Sequence, residues 1–166
     1  MITIISGTGR PGSRTLQVAQ HYHQTITQKG ARAQLLSLEA LTSHTRNADF
    51  EQLEAEFLFP ATKYFIIVPE YNGTFPGIFK LMIDISDIKK AWWYKKAALT
   101  GVSDGRAGNL RGLDHLTNAL HYMKMDIMPN KLPISQVSKL MNGNGLITDA
   151  PTLQVIDQQI DEFLKF

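Results

Sequence analysis

The run Tyr64-Phe65-Ile66-Ile67-Val68 constrains this chain most. It is continuous, apolar and rich in β-branched and aromatic residues, the pattern of a central parallel strand buried on both faces. Other segments fit around it. Ile2–Ile5 reads as a short buried strand, Ala31–Leu38 as a second, Lys95–Gly101 as a fourth and Met125–Met128 as a fifth. Helix patterns alternate with them. Ser13 is a good N-cap for a helix with Leu16, Ala19, Tyr22 and Ile26 on one face, closed by Lys29-Gly30. Phe50, Leu53, Phe57 and Leu58 suggest one helix within 42–62. Pro76 suits a helix N1 position, followed by an apolar stripe of Ile78, Met82 and Ile85. Leu110, Leu113, Leu116, Leu120 and Met123 predict another helix. Leu153, Ile156, Ile160 and Phe163 predict a last one, starting at Asp149 or Thr152. Five strands alternating with helices make the class α/β with a mostly parallel sheet.

The length of 166 residues suits one domain spanning 1–166, with no repeat or linker. A chain of this size buries roughly 70% of its unfolded surface, so it needs no staple. It has no cysteine, which excludes a disulfide scaffold, a thiolate nucleophile and Cys-based metal sites. Seventeen basic and 15 acidic residues leave a net charge of +2, with no basic run, so nucleic acid is not the expected partner. Met1–Ile5 enters a strand pattern at once, without the charged n-region of a signal peptide. The longest apolar run is too short to span a bilayer. The expectation is a soluble cytoplasmic protein with no membrane partner.

In parallel sheets, ligands bind outside the carboxyl ends of the strands, where strand order reverses. Three loops at such ends carry unusual chemistry. The first, Gly7-Thr8-Gly9-Arg10-Pro11-Gly12, matches the dinucleotide fingerprint by letter. Yet no acid stands about 20 positions on; Glu39 is too far, and Pro11 lacks an N–H. The loop is instead crowded with donors, Thr8, Arg10, Ser13, Arg14 and Thr15, around a helix start that favours an anion. That donor set suits a terminal monophosphate. The plain alternative is an ordinary turn capped by Ser13.

The second loop, Pro69-Glu70-Tyr71-Asn72-Gly73-Thr74-Phe75-Pro76-Gly77, follows the buried run, and the third is Ser103-Asp104-Gly105-Arg106-Ala107-Gly108. Taken singly, each also reads as a turn. Together with Lys80 and Asp84 in the next helix, and with Gly7, Thr8, Arg10 and Ser13, they occur in the order of a known family. The chain resembles the NAD(P)H-dependent FMN reductases, whose relatives reduce quinones, azo dyes and chromate. The resemblance implies a flavodoxin-like three-layer sandwich with a five-stranded parallel sheet of order 2-1-3-4-5. It implies FMN as cofactor and NADPH or NADH as electron donor. Thr8, Arg10, Ser13, Arg14 and Thr15 would hold the FMN phosphate. Pro69, Glu70, Tyr71, Asn72 and Gly73 would lie along the isoalloxazine ring, and Ser103, Asp104, Gly105 and Arg106 would close its other side. Hydride would pass to flavin N5 and electrons then to a small-molecule acceptor, such as a quinone, free flavin, azo compound or metal oxyanion. With the cofactor carrying the chemistry, no catalytic side chain is required. The family also implies a homodimer or homotetramer. Leu81, Ile85 and Asn109 depart from its common residues, and Asp104 places a carboxylate near the expected flavin rim.

Other readings stay open: a flavodoxin-type electron carrier, or a flavin-free interaction module of the same fold. A metal site is not expected, because none of the five histidines form a His-x-x-x-His pair. His21 and His23 are expected on the exposed side of the first helix. Trp92 and Trp93 suit packing better than ligand contact. Lys89-Lys90 and Lys95-Lys96 read as solvated faces.

Overall fold

A computed structural model describes all residues, Met1–Phe166. The strands β1 (Ile2–Ser6), β2 (Ala33–Ser37), β3 (Lys63–Pro69) and β4 (Lys96–Val102) lie parallel in the order β2-β1-β3-β4. Beyond β4 the sheet ends in two short pieces, β5 (Asp126–Ile127) and β6 (Leu132–Ile134), both parallel to it. This is the expected flavodoxin-like order with the fifth strand split. β5 pairs Lys96 with Asp126, whereas β6 pairs Thr100 with Leu132, so two extra residues bulge out between them. Pro129 stands in that gap and has no N–H for the ladder. The buried Gln159 amide repairs the break, donating to Asn130 O at 3.2 Å and Leu99 O at 3.1 Å. Its oxygen receives Tyr22 Oη at 2.7 Å and Thr100 Oγ1 at 3.0 Å.

The helices α1 (Arg14–Gln28) and α6 (Ala150–Lys165) cover one face of the sheet. On the other lie α2 (Ala48–Leu53), α3 (Gly77–Ile85), the single turn α4 (Ile88–Ala91) and α5 (Leu110–Tyr122). Alternate β3 residues feed the two cores: Tyr64, Ile66 and Val68 one way, Phe65 and Ile67 the other, all fully buried. That is why the run carries no polar residue.

Several faces differ from the sequence pattern. The 42–62 region is α2 followed by a π-helical turn, Glu54–Leu58. Its Glu54 is fully buried and accepts from Arg46 Nε at 2.8 Å and Asp87 N at 2.6 Å. On α3 the buried residues are Phe79, Met82 and Ile83, with Ile78 and Ile85 half-buried and Pro76 serving as N-cap. Leu110 is 52% exposed, because α5 turns its first residue to solvent. Leu16 and Leu153 are only half-buried; Val18 and Gln159 take the inward places beside them. His21 and His23 are half-buried rather than exposed. Trp92 is fully buried and donates to Ser86 Oγ at 2.7 Å, so it packs. Lys95 and Lys96 are half-buried and donate to backbone carbonyls, so they are not a solvated face.

Candidate functional site

The first, second and third loops meet at the carboxyl ends of β1, β3 and β4. They enclose an open cleft of about 950 Å³, within the size range of small-molecule sites. Its lining includes Arg10, Ser13, Arg14 and Thr15 from the first loop, Pro69 to Gly73 from the second, and Ser103, Asp104 and Gly105 from the third. Twelve of the fourteen residues assigned to the cofactor from sequence therefore share one space. Thr8 and Arg106 do not line it. Thr8 is buried beneath the first loop, and Arg106 points to solvent on the third.

The first loop leaves several donors free at the cleft. Ser13 caps α1, its Oγ accepting from Leu16 N at 3.1 Å, which leaves its hydroxyl proton free to donate. The N–H groups of Arg14 and Thr15 have no intramolecular partner, as expected of a first helical turn. Gly12 has a positive φ of 61° with open space where a Cβ would stand, and its N–H donates to Glu39 Oε1 at 3.2 Å. Glu39, too distant in sequence to read a ribose, braces the loop instead.

The second loop is a tight hairpin. Tyr71 and Thr74 exchange backbone hydrogen bonds of 2.8 and 3.1 Å, and Asn72 and Gly73 both have positive φ, 52° and 79°. Two such residues in sequence make the turn that Asn-Gly favours. It leaves the N–H groups of Asn72 and Gly73 unpaired at the cleft.

Asn109 joins the second and third loops. It adopts the left-handed conformation, φ 67°, and its Nδ2 donates to Val68 O at 3.1 Å and Pro69 O at 2.9 Å. Gly112 makes room for it: a Cβ there would lie 2.1 Å from Asn109 Oδ1. Asn109 thus holds a left-handed backbone conformation and adds a tie between two walls of the cleft.

Asp104 is held away from an isolated position at the rim. Its carboxylate accepts from Arg14 Nη1 at 2.8 Å and from Ser138 N at 2.9 Å. Hydrogen bonds from Ser138 and the Arg14 charge hold its carboxyl below the usual carboxylate range. One side chain thereby links the first loop, the third loop and the segment after β6.

That segment forms a fourth wall unread in the sequence. Ser138, Met141, Asn142, Gly143 and Gly145 line the cleft, and so does Gln17 from α1. Met141 and Ile147 pair across a small hairpin, and Gly145 lies so close to Gln17 that a Cβ would meet its Nε2 at 2.3 Å. The Asn142-Gly143-Asn144-Gly145 cluster announces a turn, but nothing local says that the turn folds back onto α1.

The donor set fits FMN. Two guanidinium groups, the Ser13 and Thr15 hydroxyls and free helix N–H groups suit a phosphate dianion. Unpaired main-chain N–H groups at a glycine-bearing hairpin suit the polar edge of a flat ring. Sheet order, cleft position and donor chemistry together fit an FMN-binding protein on a flavodoxin-like scaffold. Comparison with known proteins narrows the class. The chain belongs to the NADPH-dependent FMN reductase family, whose model matches residues 1–139, and it is an FMN-dependent NAD(P)H oxidoreductase. A 2-hydroxy-1,4-benzoquinone reductase from a Burkholderia species is 25% identical over 130 residues, 74% of this chain and 71% of the relative. An NAD(P)H-dependent FMN reductase of Pseudomonas aeruginosa is 31% identical over 97 residues, 55% of this chain and 51% of that one. Among solved structures, the fold is similar to a flavoenzyme NAD(P)H:acceptor oxidoreductase of Paracoccus denitrificans, with a TM-score of 0.79 at 20% identity, covering 99% of this chain and 94% of the other.

Proposed function

We propose that the cleft holds the FMN phosphate on Arg10, Ser13, Arg14 and Thr15. The ring lies against the hairpin at 69–73 and the third loop, and the final electron acceptor is a quinone. The observation that carries this reading is the convergence of three loops with unpaired donors on one open cleft. FMN in that cleft supplies the two-electron chemistry between nicotinamide and acceptor.

The chain's own residues bind and orient. Asn109 sets the spacing between the two ring walls through its bonds to Val68 O and Pro69 O. Main-chain N–H groups of Asn72 and Gly73 supply fixed dipoles toward the ring edge. Glu70, the carboxylate of the second loop, is exposed at the cleft mouth, and no buried acid lines the cavity. An acceptor that takes its protons from water, as a quinone does on two-electron reduction, suits such a site. The similarity to a quinone reductase supports the same acceptor class. Donor and acceptor use the open face in turn, so the kinetics are ping-pong.

No helix is long and apolar enough to cross a membrane, and the enzyme is read as a cytoplasmic single-domain protein acting on small molecules. The exposed Leu110 and Tyr122 on α5 supply apolar surface for a homodimer or homotetramer. Anaerobic mixing of the FMN-loaded protein with NADPH or NADH, followed by benzoquinone, tests the assignment. Bleaching of the flavin's visible band and its recovery with quinone are the expected result. Bleaching without recovery removes the quinone. No bleaching by either nucleotide overturns the electron-donor assignment.

A further inference from the structure

We infer that Tyr71, although it stands in the ring loop, is a positioning residue for the phosphate-binding arginine. Its hydroxyl shares a 2.7 Å hydrogen bond with Thr8 Oγ1. The Arg10 guanidinium lies over its ring, 4.4 Å from the centroid. Thr8 also accepts from the Arg10 backbone N–H at 3.3 Å. Arg10 is therefore fixed twice, at its backbone by Thr8 and at its charged head by the face of Tyr71. Thr8 is 1% exposed and lies outside the cleft lining, so its hydroxyl serves this anchor and not a ligand.

The arrangement leaves every guanidinium N–H of Arg10 free. Arg10 has no ion pair and no side-chain hydrogen bond, whereas Arg14 is paired to Asp104. Stacking uses the π face of the guanidinium and leaves its in-plane donors available, which is the geometry for gripping a phosphate edge-on. A long exposed side chain loses considerable rotamer freedom when it binds; a ring beneath it removes part of that loss beforehand. The hairpin that presents main-chain donors to the flavin ring thus also sets the phosphate grip. One residue makes the two halves of the cofactor site a single unit.

The inference rests on the reading of the first loop as the phosphate cradle, and the experiment separates the two. Affinities for FMN and riboflavin, which differ only by the phosphate, are measured by flavin fluorescence quenching for Arg10→Ala, Tyr71→Phe, Tyr71→Leu and the Arg10→Ala/Tyr71→Leu double variant. Arg10→Ala weakens FMN on the order of thirtyfold through loss of charge-assisted bonds and leaves riboflavin within about twofold. Tyr71→Leu weakens FMN on the order of fivefold to tenfold more than it weakens riboflavin, the cost of immobilising one long side chain that the ring no longer holds in place. Tyr71→Phe keeps the ring face and recovers most of that loss. The double variant loses no more of the preference for FMN over riboflavin than Arg10→Ala alone, because Tyr71 acts on the phosphate through Arg10. Equal weakening of FMN and riboflavin by Tyr71→Leu overturns the inference and makes Tyr71 a platform for the flavin ring. Additive losses of that preference in the double variant overturn it too. If Arg10→Ala itself does not separate FMN from riboflavin, the phosphate reading fails and the inference falls with it.

Discussion

The two edges of the sheet treat their polar groups in opposite ways. At the carboxyl edge, donors stand free: the N–H groups of Asn72, Gly73, Arg14 and Thr15 have no partner, and Arg10 has no ion pair. At the amino edge, lysines at the strand starts are all engaged. Lys63 donates to Phe163 O and Leu164 O at 3.0 and 3.2 Å, Lys95 to Leu58 O and Phe59 O at 2.7 and 3.3 Å, and Lys96 to Phe166 O. Those carbonyls belong to the last turns of α6 and of the π-helical turn, which have no helical partners of their own. Lysine suits that place because its long stem carries several N–H donors to carbonyls that a helix end leaves open. One edge thus satisfies the helix ends internally. The other leaves them open to a ligand, so a change at the amino edge is expected to cost stability alone.

The sharpest test of that contrast is Gly101→Ala. Gly101 lies in β4 just below the third loop, and a Cβ there would meet Gly108 O at 2.2 Å. Backbone has to move, at a cost of about 3 kcal/mol. The third loop moves with it, so FMN affinity falls by roughly tenfold or more in the same variant. Denaturant unfolding and fluorescence titration read the two losses. A stability loss with unchanged FMN affinity would break the comparison, because the third loop would then be support only.

Lys63→Met is the matching change at the amino edge. It leaves Phe163 O and Leu164 O without their donor and removes the ammonium 5.3 Å from the Phe163 ring. A loss of about 1–2 kcal/mol in unfolding free energy is expected, with FMN affinity unchanged within error. A shift in FMN affinity there would show that the edges communicate through the sheet.

The buried scaffold was far more legible from sequence than the site's far wall. β3 is visible because burial on both faces removes every polar residue from Tyr64 to Val68. The three loops are visible because glycine, proline and donor residues collect where a ligand must approach backbone. Ser138 and Met141 left no such mark, and the cluster ending at Gly145 marks a turn but not its place: they join the cleft through the return of a hairpin onto α1, a contact across more than a hundred residues. The split of β5 was hidden for a related reason. Met125–Met128 looks like a strand, and only the Gln159 amide, far along the chain, makes a break at Pro129 tolerable. Thr8 is a subtler case. A hydroxyl in a phosphate-binding pattern reads as a ligand donor, yet Tyr71 is close enough to claim it.

Asp104→Asn sharpens the comparison within the carboxyl edge, since Asp104 is the one acceptor there that engages a site arginine. Asparagine keeps an oxygen for Ser138 N–H and replaces the oxygen that accepts from Arg14 with an amide NH2, removing both the charge and that hydrogen bond. Arg14 is then free of its counter-ion, so FMN binds about threefold tighter at low salt, and the gain fades as ionic strength rises. Weaker binding would mean that the pair positions Arg14 instead of competing with the phosphate. The folded-state carboxyl lies below its unfolded value. The pair's stabilisation is therefore present above the ordinary carboxylate range and is lost as pH falls through the folded value.

The smallest effect concerns Lys95 at the amino edge, and its sign runs the other way from intuition. Burial pushes its ammonium from 10.5 down to about 8, so between those values the unfolded chain holds a proton that the folded protein has released. Stability then rises with pH across the window, is fully gained above the unfolded value and is lost as pH falls through the folded one. The neutral amine still donates to Leu58 O and Phe59 O, so deprotonation keeps the contact and removes only the cost of a half-buried charge. Relative to Lys95→Met, the parent protein therefore gains thermal stability from pH 8 to pH 10, and paired melting curves across that range measure the gain. A parallel pair of curves would mean that water reaches the ammonium and that this lysine, unlike Lys63, belongs to the solvated surface.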